Sequence, residues 1–450
     1  MPFKLQVTGG APLSGSVTIS GAKNAALPLM AAALLAPGKT VLHNVPDLSD
    51  VRLMCEILEV LGCETHYDND TVTIDVQSEE ITVAPYELVS EMRASFCVLG
   101  PLLARRGKAD VALPGGCTLG VRPVDLHIKG LKALGAEVTI DAGYVKARGE
   151  NMRGERIYLG GAMGPSVTGT CNILCAAVLT PGKTIIEEAA CEPEVQNLVD
   201  MLIAMGANIS GGGTPCLTVE GVKELQPVEF HVIPDRIEAS TFVAAAAITG
   251  STITLEKVNI DHLGKMIDLY KRMGVTFRRK SDFDLEVTGP NEITPIDVTT
   301  LPFPGFPTDV QAQTMAILSL AKGMSVITEK IYPDRFMVIS EFNRMGAEIR
   351  KEGNMAVVHG VQRLSGCPVK ATDLRAGAGL VLAGLVADGV TEVFNIHHID
   401  RGYDCFEGKL TKLGAQIERV EFAAQRRRSD KIAAAREVAL KLSDAPKQAA

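Results

Sequence analysis

The sequence predicts an α/β fold of two domains, built from one unit written six times. The first observation is a recurring junction of helix end and strand: LGCET at Leu61, LGAEV at Leu134, MGANI at Met205, MGVTF at Met273, MGAEI at Met345 and LGAQI at Leu413. The repeats lie about 70 residues apart, longer than the solenoid periods. In each, glycine is the residue that tolerates the left-handed conformation beyond a helix end, and the alternation after it reads as a strand. The second observation is an apolar helix upstream of every junction: AALPLMAAALLAPG, ASFCVLGPLLARRG, GTCNILCAAVLTPG, EASTFVAAAAITG, DVQAQTMAILSLAKG and DLRAGAGLVLAGLVADG. These are apolar almost all round, which predicts burial. The third is a short strand between the two helices of a unit, as in KTVLHNV, KTIIEEA, STITLEKV, MSVITEKI and VTEVFNI. Each unit is thus a βαβαβ-type module. At 450 residues the chain exceeds what one core organises, so three units per domain follow.

Taken in order, FKLQVTGGAPLSGSVTISGAK reads as an extra strand pair that closes the last unit, with one crossing between domains near Gly21. Residues 22–233 hold the first three units. Pro234 in HVIPDRIEA breaks the pattern and marks the other crossing, so the second domain combines residues 1–21 with 234–420. Residues 421–450 include QRRRSDKIAAAREVALKLSD, a charged helical tail outside the sixfold pattern.

Composition excludes several classes. Net charge is −8 from 45 basic and 53 acidic residues, and no Lys/Arg block makes a nucleic-acid stripe. Trp is absent, which argues against base-stacking platforms. Ten scattered cysteines, mostly in apolar runs such as ASFCVLG and NILCAAV, fit reduced thiols of a cytosolic protein. Cys171 and Cys175 share a helix face without nearby His partners and read as core. No apolar run approaches the roughly 20 residues that span a bilayer, so a cytoplasmic protein without a membrane partner is expected. PGKT at Pro37 and at Pro181 lacks the glycine five residues upstream and sits between helix and strand in the wrong order for a phosphate loop. Both are read as turns. GGAMG near Gly160 is too short for a dinucleotide fingerprint.

The chemistry-bearing stretch is PGGCTLGVRPVDLH from Pro114 to His127. Two glycines ahead of Cys117 free the backbone and read as a lid, and Arg122, Pro123, Val124 and Asp125 supply a guanidinium, a stiff turn and a carboxylate. The plain alternative is a cysteine acting as a small buried hydrophobe. Other polar groups stand where the buried helices begin: Lys23 and Asn24, Arg93, then Ser166, Val167 and Thr168. Helix N-termini favour anions, though capping alone also explains the hydroxyls. Asp309 follows three prolines in PFPGFPTDVQAQ and reads as a helix cap or a general base. Arg335 in YPDRF, Asp373 and Arg375 in TDLRAG, and Arg401 in HHIDRGYD repeat an Asp-Arg pairing. Structural ion pairing is the default for each alone. Together they suit a substrate rich in phosphate and carboxylate.

GAKNAALP at Gly21, GGCTLGVRPVDLH at Gly115, FPTDVQAQ at Phe306, TDLRAGAGLVLAG at Thr372 and HHIDRGYD at His397 together resemble the UDP-N-acetylglucosamine 1-carboxyvinyltransferase family, over residues 1 to about 420. The resemblance implies an enolpyruvyl transferase fold, two domains of three βαβαββ units around buried helices. It also implies transfer of the enolpyruvyl group of phosphoenolpyruvate to the 3-hydroxyl of UDP-N-acetylglucosamine, releasing phosphate, at the first committed step of peptidoglycan synthesis. Neither a metal nor an organic cofactor is called for, and a monomer or weak oligomer is expected. Lys23, Arg122 and Arg401 would clamp phosphoenolpyruvate, and Asn24 and Asp309 would address the sugar. Arg93, the run Arg122, Pro123, Val124, Asp125 and Leu126, together with Ser166, Val167, Thr168 and Ile331, would hold the nucleotide end. Cys117 matches the family's catalytic thiol, the one alkylated by fosfomycin. Some members carry lysine where this chain has Gly164, which puts one diphosphate contact in doubt. The residue types then assign Cys117 as the acid toward C3 of phosphoenolpyruvate and Asp309 to the hydroxyl proton, with the cations on the tetrahedral intermediate. A covalent adduct of the Cys117 thiol at C2 is a further state compatible with this chemistry. Two alternatives stay open at this level: the sister transferase acting on shikimate 3-phosphate, and an idle paralogue that binds UDP-sugar and regulates a partner.

Overall fold

The computed structural model describes residues 3–114 and 124–422. Cys117, Arg122, Pro123 and the tail from 423 onward lie outside the described residues. All six junction glycines, Gly62, Gly135, Gly206, Gly274, Gly346 and Gly414, have φ between 90° and 106°. A side chain is strained there, which is why each helix ends in glycine before its strand begins. Both PGKT segments are helix-to-strand turns, leading into strands Gly38–His43 and Lys183–Glu187.

Each unit contributes a four-stranded sheet with one parallel edge pair followed by two antiparallel pairs. In the second unit the order is Val83–Ala84, Lys108–Ala112, Tyr144–Arg148, Glu137–Asp141. The parallel edge strand is the one that precedes the unit's buried helix: Val83–Ala84, Arg156–Tyr158, Val298–Thr299 and Pro368–Lys370 in units two, three, five and six. Units one and four exchange theirs. Ser16–Thr18 precedes the first buried helix yet pairs with Thr252–Glu256 of unit four, and Glu229–His231 precedes the fourth yet pairs with Gly38–His43 of unit one.

The N-terminal segment therefore does not act as a strand pair closing the last unit. Phe3–Thr8 does enter that sheet, between Val390–Phe394 and Gln416–Glu421, but Ser16–Thr18 closes the fourth. The reason is main-chain hydrogen bonding: each inner strand must pair both its edges, and the two crossing chains supply each other's missing partner. At the crossings the chains run side by side. Ala22 N–H donates to the Ile233 carbonyl at 2.7 Å and Asp235 N–H to the Ser20 carbonyl at 2.8 Å. A Cβ at Gly21 would stand 1.6 Å from the Asn44 carbonyl oxygen, so the close approach admits glycine alone.

The buried apolar side chains sort into two clusters, one within 22–232 and one made of 5–19 with 237–417. Each is threaded by three helices buried nearly all round, Lys23–Ala32, Leu99–Arg106 and Val167–Ala177 in one, Arg236–Thr249, Gln311–Leu318 and Leu374–Gly384 in the other. Cys171 and Cys175 belong to the first core, their thiols pushed up by burial. No helix among the described residues is long and apolar enough to cross a membrane.

Glu238, buried in the fourth central helix, ties the crossing together. It accepts the Ser20 N–H and the Lys409 ammonium, each at 2.6 Å. Burial pushes its carboxyl up to about 7, against the pull of Lys409. Because the folded value lies above the unfolded one, the linked stability is complete below the ordinary glutamate range and is lost as pH rises through about 7. Relative to Glu238→Gln, the parent protein's Tm is expected to fall between roughly pH 5 and 8. A pH-independent difference in thermal melts would show that Glu238 keeps an ordinary pKa.

Candidate active site

The six central helices point their N-terminal turns into one cleft. Lys23 and Asn24 open the first helix, Arg93 starts the short 3-10 turn before the second, and Ser166 caps the third. Arg236 opens the fourth, Asp309 lies in the turn before the fifth, and Arg375 lies in the first turn of the sixth. All of them line a cavity of about 330 Å³ walled by both halves of the chain. Six positive helix ends facing one space favour an anionic occupant before any side chain is counted.

Three carboxylates organise the cationic side chains around this cavity. Asp309 accepts from Arg335 Nη1 at 2.8 Å and from Arg375 Nη2 at 3.3 Å. Burial pushes its carboxyl up, but Arg375 and Arg335 outweigh burial and hold it well below the usual carboxylate range. It is therefore an ionised acceptor fixed by two buried guanidiniums. Asp50, only 4% exposed, accepts from Lys23 Nζ at 3.0 Å and from Arg401 Nε at 2.8 Å. Its carboxyl is likewise lowered: burial raises it and the charges of Lys23 and Arg401 prevail. Glu194 accepts from Arg236 Nε at 2.9 Å and Nη2 at 3.3 Å. The Asp50 to Arg401 and Glu194 to Arg236 pairs bridge the two halves across the cleft. Glu192 lies beside this second bridge, its carboxyl raised by burial, with the Phe303 N–H at 3.4 Å from Oε1.

Of the residues predicted from sequence, Lys23, Asn24, Arg93, Ser166, Val167, Thr168, Asp309, Ile331, Arg335, Arg375 and Arg401 share the cavity wall. Asp373 does not. Its Oδ1 accepts the Arg375 and Ala376 N–H groups at 2.8 and 3.0 Å, so it caps the helix that presents Arg375. Val124, Asp125 and Leu126 sit at the start of helix Asp125–Ala133, off the wall, with Leu126 beside Gly161. Structural ion pairing, the default for each arginine of the Asp-Arg repeats, holds in the structure. Arg335, Arg375 and Arg401 are all paired, but to Asp309 and Asp50 rather than to the aspartate next in sequence. Gly164 has φ +88° in a turn whose Cβ position lies 3.2 Å from Pro302 of the other half, so glycine there answers a backbone need and a close approach.

Sequence reasoning missed Asp50, Glu194 and Arg236. A signal existed: the second helix of each of the first three units has an acid in its first turn, Asp50, Asp125 and Glu194. Likewise Pro-Asp-Arg occurs at Pro234 to Arg236 as well as at Pro333 to Arg335. Among the described residues no group of three His, Cys, Asp or Glu side chains is arranged to hold a metal ion.

Comparison with known proteins follows the same lines. Residues 7–410 match the family model described as EPSP synthase (3-phosphoshikimate 1-carboxyvinyltransferase). A UDP-N-acetylglucosamine 1-carboxyvinyltransferase of Methylacidiphilum infernorum is 51% identical over 417 residues, covering 93% of this chain and 99% of its own. Another, of Caldanaerobacter subterraneus, is 50% identical over 419 residues, covering 93% of this chain and 100% of its own. Among solved structures, the enolpyruvyl transferase NikO from Streptomyces tendae aligns with a TM-score of 0.84 at 25% identity, over 94% of this chain and all (100%) of that one. EPSP synthase from Acinetobacter baumannii aligns with a TM-score of 0.73 at 20% identity, over 93% of this chain and 100% of its own, a likeness of fold.

Proposed function

The chain belongs to the EPSP synthase family of enolpyruvyl transferases, among its UDP-N-acetylglucosamine 1-carboxyvinyltransferases, and from that premise we propose how its cavity performs the transfer. The reaction joins the 3-hydroxyl oxygen of UDP-N-acetylglucosamine to C2 of phosphoenolpyruvate while a proton adds to C3. The tetrahedral adduct then loses a C3 proton and phosphate, leaving the enolpyruvyl ether. The observation that carries the assignment of roles is the pair of acid-centred clusters, Asp309 with its two arginines and Asp50 with Lys23 and Arg401, on one cavity wall.

Lys23 and Arg401 hold the phosphate and carboxylate of phosphoenolpyruvate, with Arg122, outside the described residues, as a third cation. Their charge then meets the negative charge that builds up in the adduct. Asn24 and Asp309 face the sugar, and Asp309 orients the attacking hydroxyl by accepting its hydrogen bond. Held low by two guanidiniums, Asp309 is a weak base, so it takes the proton outright only as that proton leaves the oxygen bonding to C2. Arg93 and the turn Ser166 to Thr168 hold the nucleotide end. Cys117 delivers the proton to C3. The two halves act as domains that shut over both substrates, excluding water. In the cell this reaction opens peptidoglycan synthesis in the cytoplasm, with Cys117 the thiol open to fosfomycin.

Phosphate release from phosphoenolpyruvate, assayed with and without UDP-N-acetylglucosamine, tests this reading. Release that depends on the nucleotide sugar supports it. Release that depends instead on shikimate 3-phosphate, or none from folded protein, overturns it. Cys117→Ser keeps size and polarity but removes the acidic thiol, so kcat is expected to fall about 100-fold. Single-turnover quench-flow with near-parent rates would take Cys117 out of the proton-donor role.

A further inference from the structure

Behind Thr168 lies a buried polar chain, His127 and Asn172, to which the reaction above gives no part. His127, 1% exposed, sits in helix Asp125–Ala133, its ring edge-on to Phe96 at 5.1 Å between centroids. Its Nδ1 lies 2.8 Å from Nδ2 of Asn172, and its Nε2 lies 3.3 Å from the Thr168 hydroxyl. The amide of Asn172 is fixed by two backbone groups: Oδ1 accepts the Gly100 N–H at 2.8 Å and Nδ2 donates to the Phe96 carbonyl at 2.9 Å. The atom facing the imidazole is therefore an N–H donor, and Nδ1 must accept. Burial, with the positive charge of Arg93, lowers the ring's pKa to about 3, so the imidazole is neutral and its one proton is on Nε2. Nε2–H then donates to Thr168 Oγ1. A hydroxyl that accepts from its inner neighbour has its own proton to give elsewhere, and Thr168 stands on the cavity wall.

We infer that His127 is a positioning residue: with Asn172 it turns the Thr168 hydroxyl into a donor aimed at an oxygen of the bound nucleotide sugar. The inference deepens the proposed function and rests on it for the ligand's identity. It assigns to two buried groups the choice between donor and acceptor that a free hydroxyl leaves open. Selectivity follows, because a site set to donate rejects a ligand with a donor at that place. The adjacent Gly164 offers no side-chain donor, so a fixed hydroxyl is the polar side chain available at this turn beside Ser166, whose oxygen accepts the Gly169 N–H at 3.1 Å.

The test is a double-mutant cycle read in the KM of UDP-N-acetylglucosamine and, in parallel, by titration calorimetry with the same compound. Thr168→Val keeps the shape and removes the hydroxyl, and is expected to weaken nucleotide binding about tenfold, with Thr168→Ser recovering most of that loss. His127→Phe keeps a ring and removes both nitrogens, and is expected to cost a similar factor. In the Thr168→Val background it should cost almost nothing more, since the hydroxyl it acts through is gone. Full additivity of the two losses would overturn the inference, as would unchanged affinity in Thr168→Val. If His127→Phe does not fold, His127→Leu, which also removes both ring nitrogens, takes its place in the cycle, with the same two outcomes decisive, while His127→Gln, whose amide N–H reaches toward Thr168, should keep most of the affinity. Calorimetric coupling in a protein that shows no turnover would sustain the positioning role while overturning the activity assignment, so the two failures are told apart.

Discussion

Replacing Asp309 by asparagine is expected to lower kcat about 1,000-fold, the middle of the range for a lost acid-base group. The amide matches the carboxylate in shape, so the loss comes from its inability to take the hydroxyl's proton as the bond to C2 forms. The substituted amide would still accept one guanidinium hydrogen bond through its oxygen, but Arg335 and Arg375, 3% and 1% exposed, would lose their shared anion. Some instability follows, of about 2 to 3 kcal/mol, near the low end for breaking a buried pair because Tyr403 and Asp235 still face Arg375. Activity must therefore be normalised to folded protein by near-UV circular dichroism. The parent's pH profile adds an independent check. Since the two arginines hold Asp309 ionised far into acid, its titration cannot produce an acid limb in kcat/KM above about pH 4. A less than tenfold loss in Asp309→Asn would leave the hydroxyl to some other acceptor.

The repeat was legible in the sequence because it is enforced locally. A helix that must turn straight into a strand needs a left-handed residue, and glycine at all six junctions records that need without reference to the rest of the fold. The burial of the central helices was legible for a similar reason, since apolar residues on every face leave no side for water. What stayed hidden was set between distant segments. The exchange of Ser16–Thr18 with Glu229–His231 is a choice between two parallel edges that share one hydrogen-bonding pattern, and neither strand's residues declare it. Asp50 carries no mark of its own, because an acid in the first turn of a helix is already explained by the helix dipole. Its cross-cleft partner, Arg401, lies 351 residues away, where no local pattern can point. Nothing in VDLH sets His127 apart from any other core ring, and only the orientation of the Asn172 amide gives it a task.

The Lys23 ammonium and the Asp50 carboxylate can be separated into a catalytic and a structural part. Lys23→Met keeps the length of the side chain and its packing, and is expected to reduce kcat/KM for phosphoenolpyruvate by about 1,000-fold, because one cation fewer meets the charge of the adduct in a closed cavity. The same change leaves Asp50 buried with Arg401 as its remaining ion-pair partner among the described residues. Burial then pushes the Asp50 carboxyl up with less to oppose it. The sign of the pH effect follows. In the parent the folded carboxyl lies below its unfolded value, so the stability it contributes is present above the ordinary carboxylate range and is lost as pH falls. In Lys23→Met that contribution is smaller, so the stability gap between parent and variant should be widest near neutral pH and close toward about pH 4. Adding Asp50→Asn removes a buried carboxylate left with one partner and should return about 1 to 3 kcal/mol of stability, since Arg401, about a third exposed, can turn to water while the carboxylate cannot. It should return none of the activity. Urea melts of the double variant that match the single would show that losing Lys23 leaves Asp50 unstrained, and turnover that recovers with stability would mean that Lys23 serves the fold through Asp50 and never touches substrate.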